Sequence, residues 1–418
     1  MSTPSSPPAD GWQRGFWYLM GTQTQNAFSD NTLKTLVTLL VMAGPMSEAS
    51  RNTYVSLIAA LFAAPFLLFS ILGGWLADRF SKQRLMEVIK LVEIGIMLFA
   101  ALAMAFRSMP MELAAVFLMG CHSSVFGPAK YGILPELLPL ERLSWGNGIV
   151  EMLTFLGVIA GTVAAGYFAS SVGSMAALPG LLLALLALGG WFLSRGITHV
   201  PAADPKAAFR INPITDFWRQ LMVMRPDRDL WRANWGNTGF FFLAAIVQMN
   251  LLLYAKNVLH LTEFQNGMLN AALGIGIGVG SLFAGIMSHG HIEYRLVPIG
   301  AAGLALSSIP MGMAGVSTPV FCVFLALLGF SGGLFIVPVA AVLQHRPAPE
   351  HKGAVQGASG LMSWIGILAA SGVNELLSLA GFGPGHCFWF GGALALAAGV
   401  YVLLTRSWVA TREPAVGV

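Results

Sequence analysis

From Phe16 to Thr405 the chain alternates long apolar runs with connectors that are mostly a few residues long, and that rhythm leaves very few folds open. A helix rises about 1.5 Å per residue, so about 20 apolar residues cross about 30 Å of hydrocarbon with every backbone group satisfied inside the helix. By that ruler the sequence divides into twelve spans, at residues 16–43, 52–76, 85–106, 111–134, 145–169, 174–194, 231–258, 265–288, 295–313, 317–344, 354–380 and 384–405. Composition points the same way, with 56% of the 418 residues hydrophobic and only 10% charged. A soluble domain carries about 25% charged residues, so this chain lacks the side chains to coat a water-facing surface. The predicted fold class is an all-α membrane protein of two six-helix bundles.

Other classes are excluded by what is scarce. The 23 basic and 19 acidic residues leave a net charge of +4, too modest for a nucleic-acid partner. Cys121, Cys322 and Cys387 lie in apolar runs and form no CxxC pair, so no disulfide framework, metal site or cofactor is expected. The polar start up to Arg14 leads into an apolar run too long for a signal peptide and without a small-residue cleavage site; it reads as the first span.

Orientation follows from Lys and Arg, which gather on the cytoplasmic side. With both termini inside, eighteen of the 23 face the cytoplasm, while Arg51, Arg107 and Lys256 face out and Lys34 and Lys90 fall within spans. The domain reading is a cytoplasmic tail at 1–15, a bundle at 16–194, a cytoplasmic linker at 195–230, a second bundle at 231–405 and a tail at 406–418. Within the linker, Ile214, Phe217, Trp218 and Leu221 recur at helical spacing, which predicts an amphipathic helix on the inner membrane surface. The two halves echo each other. Asn147-Gly148 with Gly157 in span 5 matches Gln356-Gly357 with Gly366 in span 11, the glycines nine residues apart in each. Gly127-Pro128 and Val337-Pro338 precede these pairs by twenty and nineteen residues, which indicates a parallel six-plus-six duplication.

Few polar residues lie at membrane depth, so each is a candidate for function. Span 1 holds Gln25, Asn26, Asp30, Asn31 and Lys34. Lys34 stands four residues after Asp30 on one helical face, either as part of a stripe lining a cavity or as the partner of Asp30 in a static ion pair. In span 4, Lys130 and Tyr131 could hold a phosphate, with snorkelling of Lys130 to the interface as the alternative. His122 could relay protons or simply pack. Lys90 and Glu93 read as a structural pair, and Glu151 as a gate or site residue. Gln248 and Asn250 in span 7 and Gln344 in span 10 are the polar candidates of the second half, which is poorer in charge and leaves room for a hydrocarbon tail. Between spans 2 and 3, Gly74 allows close helix approach, Asp78 suits the positive end of a helix, and Arg79 and Arg84 keep the loop cytoplasmic.

That loop, Gly74-Trp75-Leu76-Ala77-Asp78-Arg79, resembles the signature of the major facilitator superfamily. Together with Phe28-Ser29-Asp30-Asn31, the run from Gly127 to Glu136, Gly146-Asn147-Gly148 with Glu151, and the run from Gly333 to Pro338, it resembles the bacterial lysophospholipid transporters of that superfamily. The same family occurs as the membrane part of fusions to an acylglycerophosphoethanolamine acyltransferase. The resemblance implies the major facilitator fold and a flippase that carries lysophosphatidylethanolamine and lysophosphatidylglycerol to the inner leaflet of the inner membrane for reacylation. Asp30, Asn31, Lys130, Tyr131 and Gln344 would be shared polar positions, and Gly74, Asp78, Arg79, Arg84 and Glu136 would belong to the cytoplasmic gate. Where the family usually has Asn, this chain has Ala340.

The expected protein is thus a monomeric transporter and not an enzyme, with a lysophospholipid, the bilayer and a separate acyltransferase or acyl-carrier synthetase as partners. His199 and Asp204 form an acyltransferase-like His-x4-Asp, but they stand in a Pro-rich linker, where a general base has no folded pocket. The rival reading is a proton-coupled exporter of small amphipathic drugs, with Asp30 or Glu151 as its proton site.

Overall fold

The computed structural model describes residues 11–171, 176–208, 212–313 and 315–405, and these are helical almost throughout. The helices are α1 (Trp12–Ala43), α2 (Glu48–Arg79), α3 (Lys82–Ala105), α4 (Met109–Leu137), α5 (Leu140–Ser171), α6 (Leu178–Arg195), α7 (Pro213–Met224), α8 (Arg228–Asn257), α9 (Glu263–Met287), α10 (Leu296–Met311), α11 (Thr318–His345), α12 (Lys352–Leu379) and α13 (Pro384–Leu404). Ten of the described helices are long and apolar enough to cross a membrane. α1 is long but carries the polar stripe, and α10 is apolar but 16 residues long. The expected tail at 406–418, with Arg406 and Arg412, lies outside the described residues, as does Arg210 of the linker.

Local chemistry sets the helix ends. Ser47 accepts the Ser50 N–H at the start of α2, Asp227 accepts from Asp229 and Leu230 at the start of α8, and Thr262 and Gln265 form a reciprocal capping box on α9. Proline opens α4, α6, α11 and α13, where the missing N–H costs no helical bond. Pro128 and Pro135 lie inside α4, yet that helix continues unbroken from Met109 to Leu137.

Two compact units emerge. One holds residues 1–139, 156–223 and 347–361; the other holds 140–155, 224–346 and 362–418. Packing therefore groups the first part of α12 with α1–α4, and the first part of α5 with α8–α11. The first unit has an apolar core of Leu33, Leu36, Val37, Ile58, Met97 and Val116. In the second, the rings of Tyr254 and Phe321 stack at 4.8 Å and Phe388 meets both edge-on. Large apolar side chains such as Val88, Leu91, Leu102 and Leu185 remain exposed, as a lipid-facing surface requires.

The linker is a folded strap on the first unit. His199 Nδ1 lies 3.3 Å from Ser81 Oγ and 3.4 Å from Gln83 Oε1. The Asp204 N–H donates to the Asp78 carbonyl at 2.9 Å, and the Ala207 carbonyl accepts from Trp75 Nε1 at 3.2 Å and Arg79 at 3.3 Å. Beyond it, α7 leaves Ile214 and Trp218 exposed and buries Leu221.

Candidate functional site

The polar residues of span 1 converge with α3 and α4 on Asp30. Asp30 is 9% exposed and accepts from Asn26 Nδ2 at 3.1 Å and from Ser123 Oγ at 2.7 and 2.9 Å. Behind Asn26 stands Lys90, fully buried, whose ammonium donates to Asn26 Oδ1 at 3.1 Å, Gln25 Oε1 at 2.7 Å and Glu93 Oε2 at 2.5 Å. Gln25 Nε2 in turn donates to Glu93 Oε1 and Ser29 Oγ, each at 2.8 Å. His122 lies 3.4 Å from both Glu93 Oε2 and Ser123 Oγ, and its ring stacks on Phe126.

Lys34 lies against an aromatic ring and an amide. Its ammonium sits 4.9 Å from the Phe62 ring centre and 3.4 Å from Asn31 Oδ1, while Asn31 donates to the Ala27 carbonyl. No ion pair to Asp30 forms among the described residues, because Asn26 and Ser123 already satisfy that carboxylate. Lys130 follows Ser123 by seven residues on α4, two helical turns along the same face, or about 10 Å. It is 8% exposed, with its ammonium 4.2 Å from the Tyr131 ring centre.

The loop after α2 forms a second cluster. Asp78 accepts the Gly353 and Ala354 N–H groups at 2.7 Å each, clasping the first turn of α12 where the helix dipole favours an anion. Gly74 makes this approach possible, since a Cβ there would stand 2.7 Å from the Gly353 carbonyl. Arg79 reaches the linker and Arg84 is exposed, whereas Glu136 pairs with the fully buried Lys82 at 2.6 Å. The other unit repeats the seat without the clasp. Ser70 and Gly74 meet α12 at Gly357 and Gly353; Ser281 and Gly285, at the same spacing, meet α5 at Gly148 and Trp145. His289 stands where Asp78 would fall, with φ 44°.

The candidates of the second half act between helices. Gln344 and Asn147 exchange two amide bonds, at 2.8 and 2.9 Å, and both are almost wholly buried. Asn250 donates to Asn374 at 2.6 Å, and the exposed Gln248 donates to Asn270 at 3.1 Å. Glu151 is half-buried on α5, in the second unit. Ser123 and Asn374 take part without having been singled out from sequence; hydroxyls beside His122 in an apolar span were the available signal for Ser123.

The chain is similar to known membrane transporters in sequence and in fold. The sequence model of the Major Facilitator Superfamily matches residues 26–371 and, in a second match, 235–416. The lysophospholipid transporter LplT of Klebsiella pneumoniae is 30% identical over 345 residues, 80% of this chain and 81% of that one. The transporter of the same name from an Enterobacter species is 27% identical over 411 residues, covering 96% and 97%. Among solved structures, the human organic anion transporter MFSD10 superposes with a TM-score of 0.81 at 16% identity, over 95% of this chain and all of that one. FucP in its outward conformation superposes at 0.75 with 12% identity, over 94% and 99%. A duplicated helical chain, with the signature loop in place and relatives aligned along most of its length, belongs to the major facilitator superfamily and, within it, to the family of the lysophospholipid transporters.

Proposed function

We propose that this protein moves lysophospholipids, with ethanolamine or glycerol headgroups, from the outer to the inner leaflet of the bacterial inner membrane by alternating access. The observation that carries the reading is Asp30, a buried carboxylate hydrogen-bonded by the neutral Asn26 amide and Ser123 hydroxyl. A charge at that depth calls for a counter-charge, and the headgroup ammonium supplies it. Lys34, one turn along α1, and Lys130, two turns along α4, offer ammonium groups to the phosphate, and the acyl chain stays against apolar surface. Asp78 closes the cytoplasmic side through α12, both termini lie in the cytoplasm, and α7 rests on the inner membrane surface. The transporter works as a monomer and passes its cargo to an acylating enzyme on a separate polypeptide.

Uptake of labelled lysophosphatidylethanolamine into proteoliposomes tests this. Wild type transports, and Asp30→Ala loses at least tenfold in initial rate. Wild-type protein that transports no lysophospholipid, or an Asp30→Ala variant as fast as wild type, defeats the reading. Export that collapses with the proton gradient and confers drug resistance would mark an exporter instead.

A further inference from the structure

We infer that Lys90 and Glu93 are positioning residues of the headgroup site, fixing the amides of Asn26 and Gln25 and through Asn26 the direction in which Asp30 presents its carboxylate. The inference rests on the reading that Asp30 receives the headgroup. An ammonium has three donors and no acceptor, and those of Lys90 go to Gln25 Oε1, Asn26 Oδ1 and Glu93 Oε2. A primary amide held by its oxygen must turn its NH2 the other way. For Asn26 that direction is Asp30 Oδ2, at 3.1 Å. Gln25, held alike, sends its NH2 to Glu93 Oε1 and Ser29.

The arrangement solves a problem of charge. A lysine placed directly on Asp30 would orient the carboxylate but also neutralise it, leaving nothing to attract a cation. Here the positive charge is cancelled by Glu93 at 2.5 Å, and its orienting effect reaches Asp30 through a neutral amide. The surroundings hold the device in place. Phe126 lies 5.2 Å from the Lys90 ammonium, His122 faces Glu93 at 3.4 Å, and the Lys34 ammonium lies 4.9 Å from the Phe62 ring centre. On α6, Gly190 leaves the space that the Gln25 amide occupies; a Cβ there would collide with it.

The test uses full-length protein in proteoliposomes and the ratio of initial uptake rates for lysophosphatidylethanolamine and lysophosphatidylglycerol. The two differ in the ammonium and share the phosphate and acyl chain. Lys90→Met frees Asn26 and lowers the ethanolamine-to-glycerol ratio at least threefold relative to wild type. Glu93→Gln lowers it as well, by leaving a positive charge uncancelled beside Asp30. Gly190→Ala disturbs Gln25 without changing any charge and lowers the ratio in the same direction. Asn26→Ala combined with Lys90→Met gives no further fall than Lys90→Met alone.

Melting temperature in detergent reports folding. Should Lys90→Met fail to fold, Glu93→Gln and Gly190→Ala decide. Equal loss of both activities with an unchanged ratio would mean a purely structural role and overturn the inference, while the reading of the site would stand. Wild type that moves neither lipid overturns both.

Discussion

An acid near the middle of a span costs about 2.5–3.5 kcal/mol on insertion scales, so evolution keeps one there only with partners or a purpose. That is why Asp30 stood out in the sequence, and also why its surroundings did not. The i,i+4 rule pointed to Lys34 on the same helix, whereas the groups that hold the carboxylate are Asn26 and, across a helix boundary, Ser123. Lys90 and Glu93 were legible as a pair from their spacing of three, but nothing in a linear pattern tells which amides that pair faces. The Asn147–Gln344 exchange shows the same limit, with 197 residues between its members. Both are buried and reciprocally bonded, so Gln344→Ala leaves an amide unpaired and destabilises by about 1–3 kcal/mol. Asn147→Ala should do the same, and the double variant should cost clearly less than the sum of the two. Thermal unfolding of the purified variants checks this, and strict additivity would show that the two amides act independently.

Among the elements, the seat between α2 and α12 depends on backbone approaching backbone. A leucine at Gly74 cannot be absorbed by moving a side chain, because the obstacle is the Gly353 carbonyl. Gly74→Leu should therefore part α2 from α12, and a cysteine at Ala354, 9% exposed, should react several-fold faster with a thiol reagent. Asp78→Asn should have the same effect in milder form, as charge-assisted bonds worth about 1.5–3 kcal/mol give way to neutral ones. Labelling rates unchanged in both variants would remove the clasp from the gating account. The signature loop made Asp78 legible at once, yet the serines that complete the two seats, Ser70 and Ser281, carry no mark of their own in an apolar helix. The linker was read as a Pro-rich connector, and its hydrogen bonds to Asp78, Trp75 and Arg79 were invisible because the linker makes each of them with a backbone group, the Asp204 N–H or the Ala207 carbonyl. Trp75→Phe should loosen it and speed proteolysis near Ala207 without lowering the melting temperature by more than a few degrees.

For the whole molecule, hydropathy rhythm and the repeat were enough to name the fold, because lipid leaves so few alternatives. Chain order was less informative about packing, since the compact units cut through α5 and α12 as well as at the end of the linker, between Val223 and Met224. The positive-inside argument makes its own prediction. In a background without Cys121, Cys322 and Cys387, a cysteine at Arg107 should label from outside intact cells and one at Lys206 only after permeabilisation. The reverse pattern would invert the topology. The two halves also age differently under mutation. Duplication left matched fastenings, one closed by a carboxylate on helix amides and the other, with His289 in the equivalent place, by packing and a neutral bond from Ser144 Oγ to the His291 carbonyl at 3.3 Å. Contact loosens gradually as side chains shrink or grow, whereas a charged latch holds fully or fails at a single substitution. One seam of this transporter is thus tuned by degrees and the other by a switch, and natural variation should be wide at His289 and narrow at Asp78.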